Sequence, residues 1–172
     1  MYLLVVKQLQ LRRIIVKLRK SLIVSTMLLT LSAFSSISAF AATSYVYNGD
    51  ISSGWSSSGV MNTTRSCGYD GKSYWYYGKS DPTSSGMWSK DLDGRTEYAV
   101  YIPSCNSTGS VKYHAWYEDG QRADLNVNQL NYSNEWVILG TYRGDSNSSI
   151  GMSNNWASSS SKVVWDEARF KD

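Results

Sequence analysis

"VNQLNYSNEWVILGTYR", residues 127–143, can be read in two ways, and the choice decides the fold. Asn128, Gln129 and Trp136 together offer sugar chemistry, an aromatic plate beside amides. The alternation within Glu135–Tyr142 points elsewhere. Trp136, Ile138 and Gly140 fall on one face of a strand, and Val137, Leu139 and Thr141 on the other. Apolar residues on both faces fit an interior strand. On this reading the stretch states the fold, Gln129 is a structural hydrogen-bonder, and ligand contacts belong elsewhere.

Outward from that strand the same rhythm continues. After residue 42 helix signals are almost absent, and Gly, Ser and Asn punctuate short runs rich in Tyr, Trp and Val. This predicts an all-β sandwich or barrel. Strands are expected over 44–47, 73–77, 86–92, 97–102, 111–118, 122–128, 135–142, 149–153 and 162–170. Pro103 ends the fourth, since it has no N–H to give a ladder. Glu118-Asp119-Gly120-Gln121 carries the Asp-Gly signal of a tight hairpin. Val111, Tyr113, Ala115 and Tyr117 point inward, leaving Lys112, His114 and Trp116 on the other side. Trp116 on that polar face either meets a loop or a neighbouring sheet, or is an exposed aromatic. In 162–170 the inward set is Val164, Asp166, Ala168 and Phe170, so Asp166 must be hydrogen-bonded. "SNNWASSSSK" (153–162) reads as a loop, and neither a repeat nor a second domain is visible.

The first 41 residues read as an export signal. Lys7, Arg12, Arg13, Lys17, Arg19 and Lys20 precede the uncharged Ser21–Phe34, and Ala39-Phe40-Ala41 fits small-x-small cleavage near Ala41/Ala42. A membrane anchor is the competing reading, against which the polar "SSIS" run interrupts the apolar segment. Six of the 17 Lys and Arg lie in this leader, leaving 11 against 14 Asp and Glu. The exported part, residues 42–172, is thus acidic and has no basic cluster, which argues against nucleic acid as a partner. It is one domain's worth of chain. Its two cysteines, Cys67 and Cys105, would most simply form one disulfide in an oxidising compartment, with two free thiols as the alternative.

"EYAVYIP" (97–103), "VKYHAWYEDG" (111–120), "LNVNQ" (125–129), "EWVILGTY" (135–142), "IGMSNN" (150–155) and "VVWDEARF" (163–170) occur in an order that resembles the golvesin C-terminal-like family, also described as the xanthan-lyase carbohydrate-binding-like domain. The resemblance covers about residues 85–170. It implies a single-domain jelly-roll β-sandwich of the galactose-binding-like kind, an accessory module of secreted enzymes and surface proteins. The chain departs from the pattern at Glu167, where the family prefers a small residue, and none of its segments reads as an accompanying catalytic domain.

Catalytic chemistry is thin. His114 is the only histidine, which excludes multi-His metal sites, and "GWSSSG" (54–59) lacks the spacing of a nucleophile elbow. Asp81, Asp91, Asp93, Glu118 and Asp124 keep a carboxylate-pair mechanism open, because the partners of a glycosidase need only meet in space. No cofactor is expected. Jelly rolls of this general kind often hold a structural calcium ion, yet "DLDG" (91–94) lacks the further oxygen ligands and closing Glu of a calcium loop, and reads as a turn. Aromatic rings are what the chain has in excess: all seven Trp and twelve of thirteen Tyr follow residue 41. Trp and Tyr are apolar plates with polar tips, suited to stacking on sugar rings. Trp55, Trp88 and Trp156 are expected in loops, and "SYWYYG" puts rings on both faces of one strand. The expected ligand contacts are therefore Trp55, Tyr74, Trp75, Tyr77, Trp88 and Trp156. The functional expectation is a secreted, noncatalytic module that binds polysaccharide or cell-envelope glycan. Its rivals are a module that binds an extracellular protein and a small polysaccharide-degrading enzyme.

Overall fold

The computed structural model describes residues 41–172; the leader and the anchor alternative lie outside the described residues. Twelve strands are present there: β1 Thr43–Val46, β2 Trp55–Gly59, β3 Asn62–Arg65, β4 Lys72–Tyr77, β5 Ser84–Ser89, β6 Gly94–Ile102, β7 Ser110–Tyr117, β8 Gln121–Asn128, β9 Glu135–Gly144, β10 Ser149–Ser153, β11 Lys162–Trp165 and β12 Ala168–Lys171. They form three antiparallel sheets, ordered β1-β12-β6-β9, β2-β5-β10-β7-β8 and β11-β4-β3. The chain passes between sheets at almost every connection, so sequence neighbours seldom pair. This is the winding of a jelly-roll β-sandwich, the expected fold.

The inner faces close on one core. Val100, Ile102 and Phe170 come from the four-stranded sheet, Trp88, Tyr113 and Ile150 from the five-stranded sheet, and Val164 and Trp165 from β11. Each is at most 1% exposed. Val111, Tyr113 and Ala115 point inward as the alternation predicts, with Lys112, His114 and Trp116 on the opposite face. The Asp-Gly hairpin forms between β7 and β8, with Asp119 (φ 58°) and Gly120 (φ 71°) both left-handed.

Several expectations are corrected. β9 is an edge strand rather than an interior one, and Ile138 on its outer face is 58% exposed. A β-bulge also interrupts its alternation: Tyr98 pairs with Gly140 but Ala99 with Ile138, leaving Leu139 extra. Gly140 takes φ 151° at this point, open to glycine and strained for other residues. The phase therefore slips, Thr141 turns to solvent, and Tyr142 turns in to stack on Tyr117 with ring centroids 4.6 Å apart. The strand expected over 162–170 is two strands in different sheets, with Asp166 and Glu167 between them, and both carboxylates are buried. β2 and β3 were not anticipated. Trp55, expected in a loop, is a strand residue, Trp88 lies in the strand expected over 86–92, and both rings lie in the core rather than at the surface.

Gln129 is the structural hydrogen-bonder expected. It is fully buried just after β8. Its Nε2 donates to the Val164 carbonyl (2.9 Å) and the Tyr113 hydroxyl (3.0 Å), and its Oε1 accepts from the Val164 N–H (3.0 Å). Cys67 and Cys105 form the disulfide, tying the β3–β4 loop to the β6–β7 loop. Closing that loop stabilises the fold by about 4 kcal/mol on the chain-entropy account.

Gln129→Leu keeps the side-chain volume but strands the two Val164 groups and the Tyr113 hydroxyl in the core. The expected loss is about 3 kcal/mol of unfolding free energy, read by urea denaturation. A loss under about 1 kcal/mol would mean the amide is not what joins these elements.

Candidate functional site

The outer face of the five-stranded sheet combines an aromatic platform with polar groups. The register places His114 opposite Asp124 and Trp116 opposite Arg122 on β7 and β8, and Gly151 of β10 beside His114. A Cβ on Gly151 would lie 2.8 Å from Cζ3 of Trp116, so the missing side chain is what lets the indole lie against the sheet. His114 and Trp116 have ring centroids 5.5 Å apart at 45°. Ser85, Met87, Ser153 and these three residues line an open recess of about 220 Å³.

A charged row borders the platform. Asp124 Oδ1 accepts from His114 Nδ1 (2.7 Å) and pairs with Arg122 Nε (2.8 Å). The bond from His114, aided by the charges of Arg122 and Lys112, holds the Asp124 carboxyl below the ordinary carboxylate range. The carboxylate is thereby fixed in direction and kept ionised. Among the described residues no hydroxyl bonds the other ring nitrogen of His114. At the rim, Lys112 Nζ sits 3.9 Å above the ring of Trp156, which is 53% exposed.

The residues expected to bind ligand are dispersed over three places. Trp156 alone adjoins the platform. Trp75 and Tyr77 share one face of β4, edge to face at 5.5 Å, with Lys162 Nζ 4.4 Å above Trp75. Tyr74, on the opposite face, stacks on Trp55 at 6.2 Å and 6°, and both line a surface recess of about 490 Å³ with Ile51 and Met61. Trp55 is nevertheless 4% exposed and Trp88 1%, because both face inward from β2 and β5, and neither offers an open ring face. Trp88 instead donates its indole N–H to the Asp166 carbonyl (2.7 Å).

His114, Trp116, Arg122 and Asp124 are not among the expected ligand contacts, yet the fold brings them together on one face. The signal was there: alternation put Lys112, His114 and Trp116 on one face, and the hairpin register places Arg122 and Asp124 against them. A second aromatic cluster, Tyr45, Tyr69, Tyr101 and Trp136, covers the outer face of the four-stranded sheet, with Arg169 stacked on Trp136 and paired to Glu97 (2.7 Å). Metal-ligating chemistry gathers elsewhere than at "DLDG", at Asp70, Asp166 and Glu167.

The two kinds of tryptophan respond differently to truncation. Trp88→Ala is expected to cost about 3–5 kcal/mol of stability, as large-to-small core changes do. Trp116→Ala and Trp156→Ala are expected to cost about 1 kcal/mol or less, because their rings lie outside the core. Chemical denaturation of the three variants checks the division, and comparable losses at all three would refute it.

The Golvesin C-terminal domain family matches residues 45–172. No curated protein matches the chain. Among solved structures, a Paenibacillus xanthan lyase superposes with a TM-score of 0.63 at 22% identity, over 74% of this chain and 13% of that one. A Clostridium thermocellum endo-1,4-β-D-xylanase complexed with xylohexaose gives 0.40 at 18% identity, over 68% of this chain and 26% of that one. A structure of carbohydrate-binding modules from the β-sandwich superfamily gives 0.30 at 10% identity, over 81% and 57%. The chain thus spans about an eighth of the xanthan lyase, with which it shares a fold. From within β1 to its last residue it follows one family pattern, and it belongs to the Golvesin C-terminal domain family.

Proposed function

We propose that the protein is an exported, noncatalytic domain that binds a polysaccharide, such as a cell-envelope glycan, across the outer face of β7, β8 and β10. The observation that carries this reading is the Trp116 ring lying over Gly151 beside the fixed Asp124 carboxylate. A pyranose presents a flat C–H face to such a ring and hydroxyls to the acceptors and donors around it. Asp124 and Arg122 meet those hydroxyls from one side, and Trp156 extends the apolar platform at the rim. Because the groups stand on strands, little is lost in ordering them on binding. The xanthan lyase is named for a polysaccharide, which agrees in kind. Export is supported by the basic-apolar leader and by the disulfide, which belongs to an oxidising compartment.

A protein partner is the second reading, favoured by the cluster of Tyr45, Tyr69, Tyr101 and Trp136 beside exposed Ile138. Calorimetric titration with soluble polysaccharides separates the two. Trp116→Ala and Asp124→Ala are expected to weaken glycan binding at least about tenfold, or 1.4 kcal/mol, while Trp75→Ala leaves it unchanged. Loss at Trp75 with Trp116 silent would move the site to β4. Failure of every glycan to bind would favour the protein partner, and release of reducing ends during incubation would show an enzyme instead.

A further inference from the structure

Three carboxylates converge where the chain crosses from one sheet to another. Asp166 and Glu167 are the two residues linking β11 to β12, and Asp70 lies in the β3–β4 loop beside the disulfide. Their ligand oxygens all lie within 4.8 Å of one another. Glu167 is 0% exposed and Asp166 2%, yet neither oxygen of Glu167 nor Oδ2 of Asp166 has a hydrogen-bond partner. Oδ1 of Asp166 has only two long contacts, from the Tyr69 N–H and from Asn48 Nδ2, each 3.4 Å. Among the described residues the Lys and Arg ion pairs go to Glu97, Glu118 and Asp124, and none goes to these three.

Unpaired buried carboxylates are among the costliest groups a core can contain. The main chain nonetheless holds both in place: Trp88 Nε1 donates to the Asp166 carbonyl (2.7 Å) and the Tyr101 N–H to the Glu167 carbonyl (2.9 Å). The pocket therefore calls for positive charge, from protons or from a cation. The donor set decides between metals. It is all oxygen, with no imidazole, and the nearby sulfurs are locked in a disulfide, so a hard cation fits. Two oxygens bound to one calcium at about 2.4 Å can stand up to about 4.8 Å apart, which this cluster satisfies.

We propose that Asp70, Asp166 and Glu167 bind one divalent cation, calcium by their chemistry, at the junction of β11 and β12. The ion would tie the Asp70 loop to the sheet crossover. It would also hold Tyr69, the next residue, in its edge contacts with Tyr101 (5.2 Å) and Trp136 (5.0 Å).

The test uses the full chain stripped of metal with EDTA and then titrated with calcium chloride. Calcium at a hundredfold excess over its Kd is expected to raise Tm by on the order of 5–10 °C. Terbium is expected to give luminescence sensitised by the neighbouring tyrosines and to be displaced by calcium. Asp70→Asn changes an exposed residue and leaves the fold intact; it is expected to weaken both responses at least tenfold, and Glu167→Gln to abolish them. Identical melting in calcium and EDTA, with no terbium emission, would show that protons alone neutralise the cluster and would overturn the proposal. A full response retained in both variants would place the cation elsewhere and overturn it equally.

Discussion

Strand β11 has a strand neighbour on one side only. Along its other edge the Thr108 N–H donates to the Lys162 carbonyl, and two residues later the side-chain amide of Gln129 takes the place of a peptide group, accepting from and donating to Val164. A primary amide suits this place because it offers a donor and an acceptor together without burying a charge. The third bond, to Tyr113, carries the connection into the five-stranded sheet. The same device recurs at the other seams. Asn154 accepts from the Thr83 and Ser84 N–H groups and donates to the Tyr77 carbonyl, joining the ends of β4, β5 and β10. Asn48, just after β1, donates to the Lys72 and Trp165 carbonyls, joining the four-stranded sheet to β4 and β11. Three short sheets with ragged edges thus become one sandwich through buried amides, and the core closes over them.

Locked seams explain where a ligand surface can form. The inner face of β7 and β10 is committed to the core through Val111, Tyr113, Ala115 and Ile150, which leaves the outer face free of packing duty. Side chains there stand on a ladder rather than on a loop, so their spacing follows the strand register. Trp116, His114 and Asp124 are positioned by backbone pairing, and the glycine at 151 clears the room that the indole needs.

The sequence made the architecture legible wherever alternation was strong and turn chemistry specific. β7 and β8 followed from apolar residues at every second position and an Asp-Gly turn. β2 and β3 were invisible because "WSSSG" and "NTTR" carry almost no hydrophobic alternation. Both lie at sheet edges, where ladder hydrogen bonds rather than side-chain burial define the strand. The bulge at Leu139 was hidden for another reason: period-two reasoning assumes that no residue is extra, and one extra residue exchanged the faces of Thr141 and Tyr142. Trp55 and Trp88 were misplaced as surface rings because flanking Ser and Gly suggested exposure, whereas both indoles point into the core. The acidic cluster could not be seen at all, since Asp70 meets Asp166 and Glu167 only through the tertiary fold.

Cations lie over several of the partly exposed rings: Lys72 over Tyr74, Lys112 over Trp156, Lys162 over Trp75 and Arg169 over Trp136. Each such contact is worth about 0.5–1 kcal/mol at an exposed position. That is enough to keep a ring covered most of the time and too little to resist a partner that stacks on it. A surface so rich in indole and phenol would otherwise adhere to copies of itself. The hydrated ammonium and guanidinium groups act as removable sheaths over these rings.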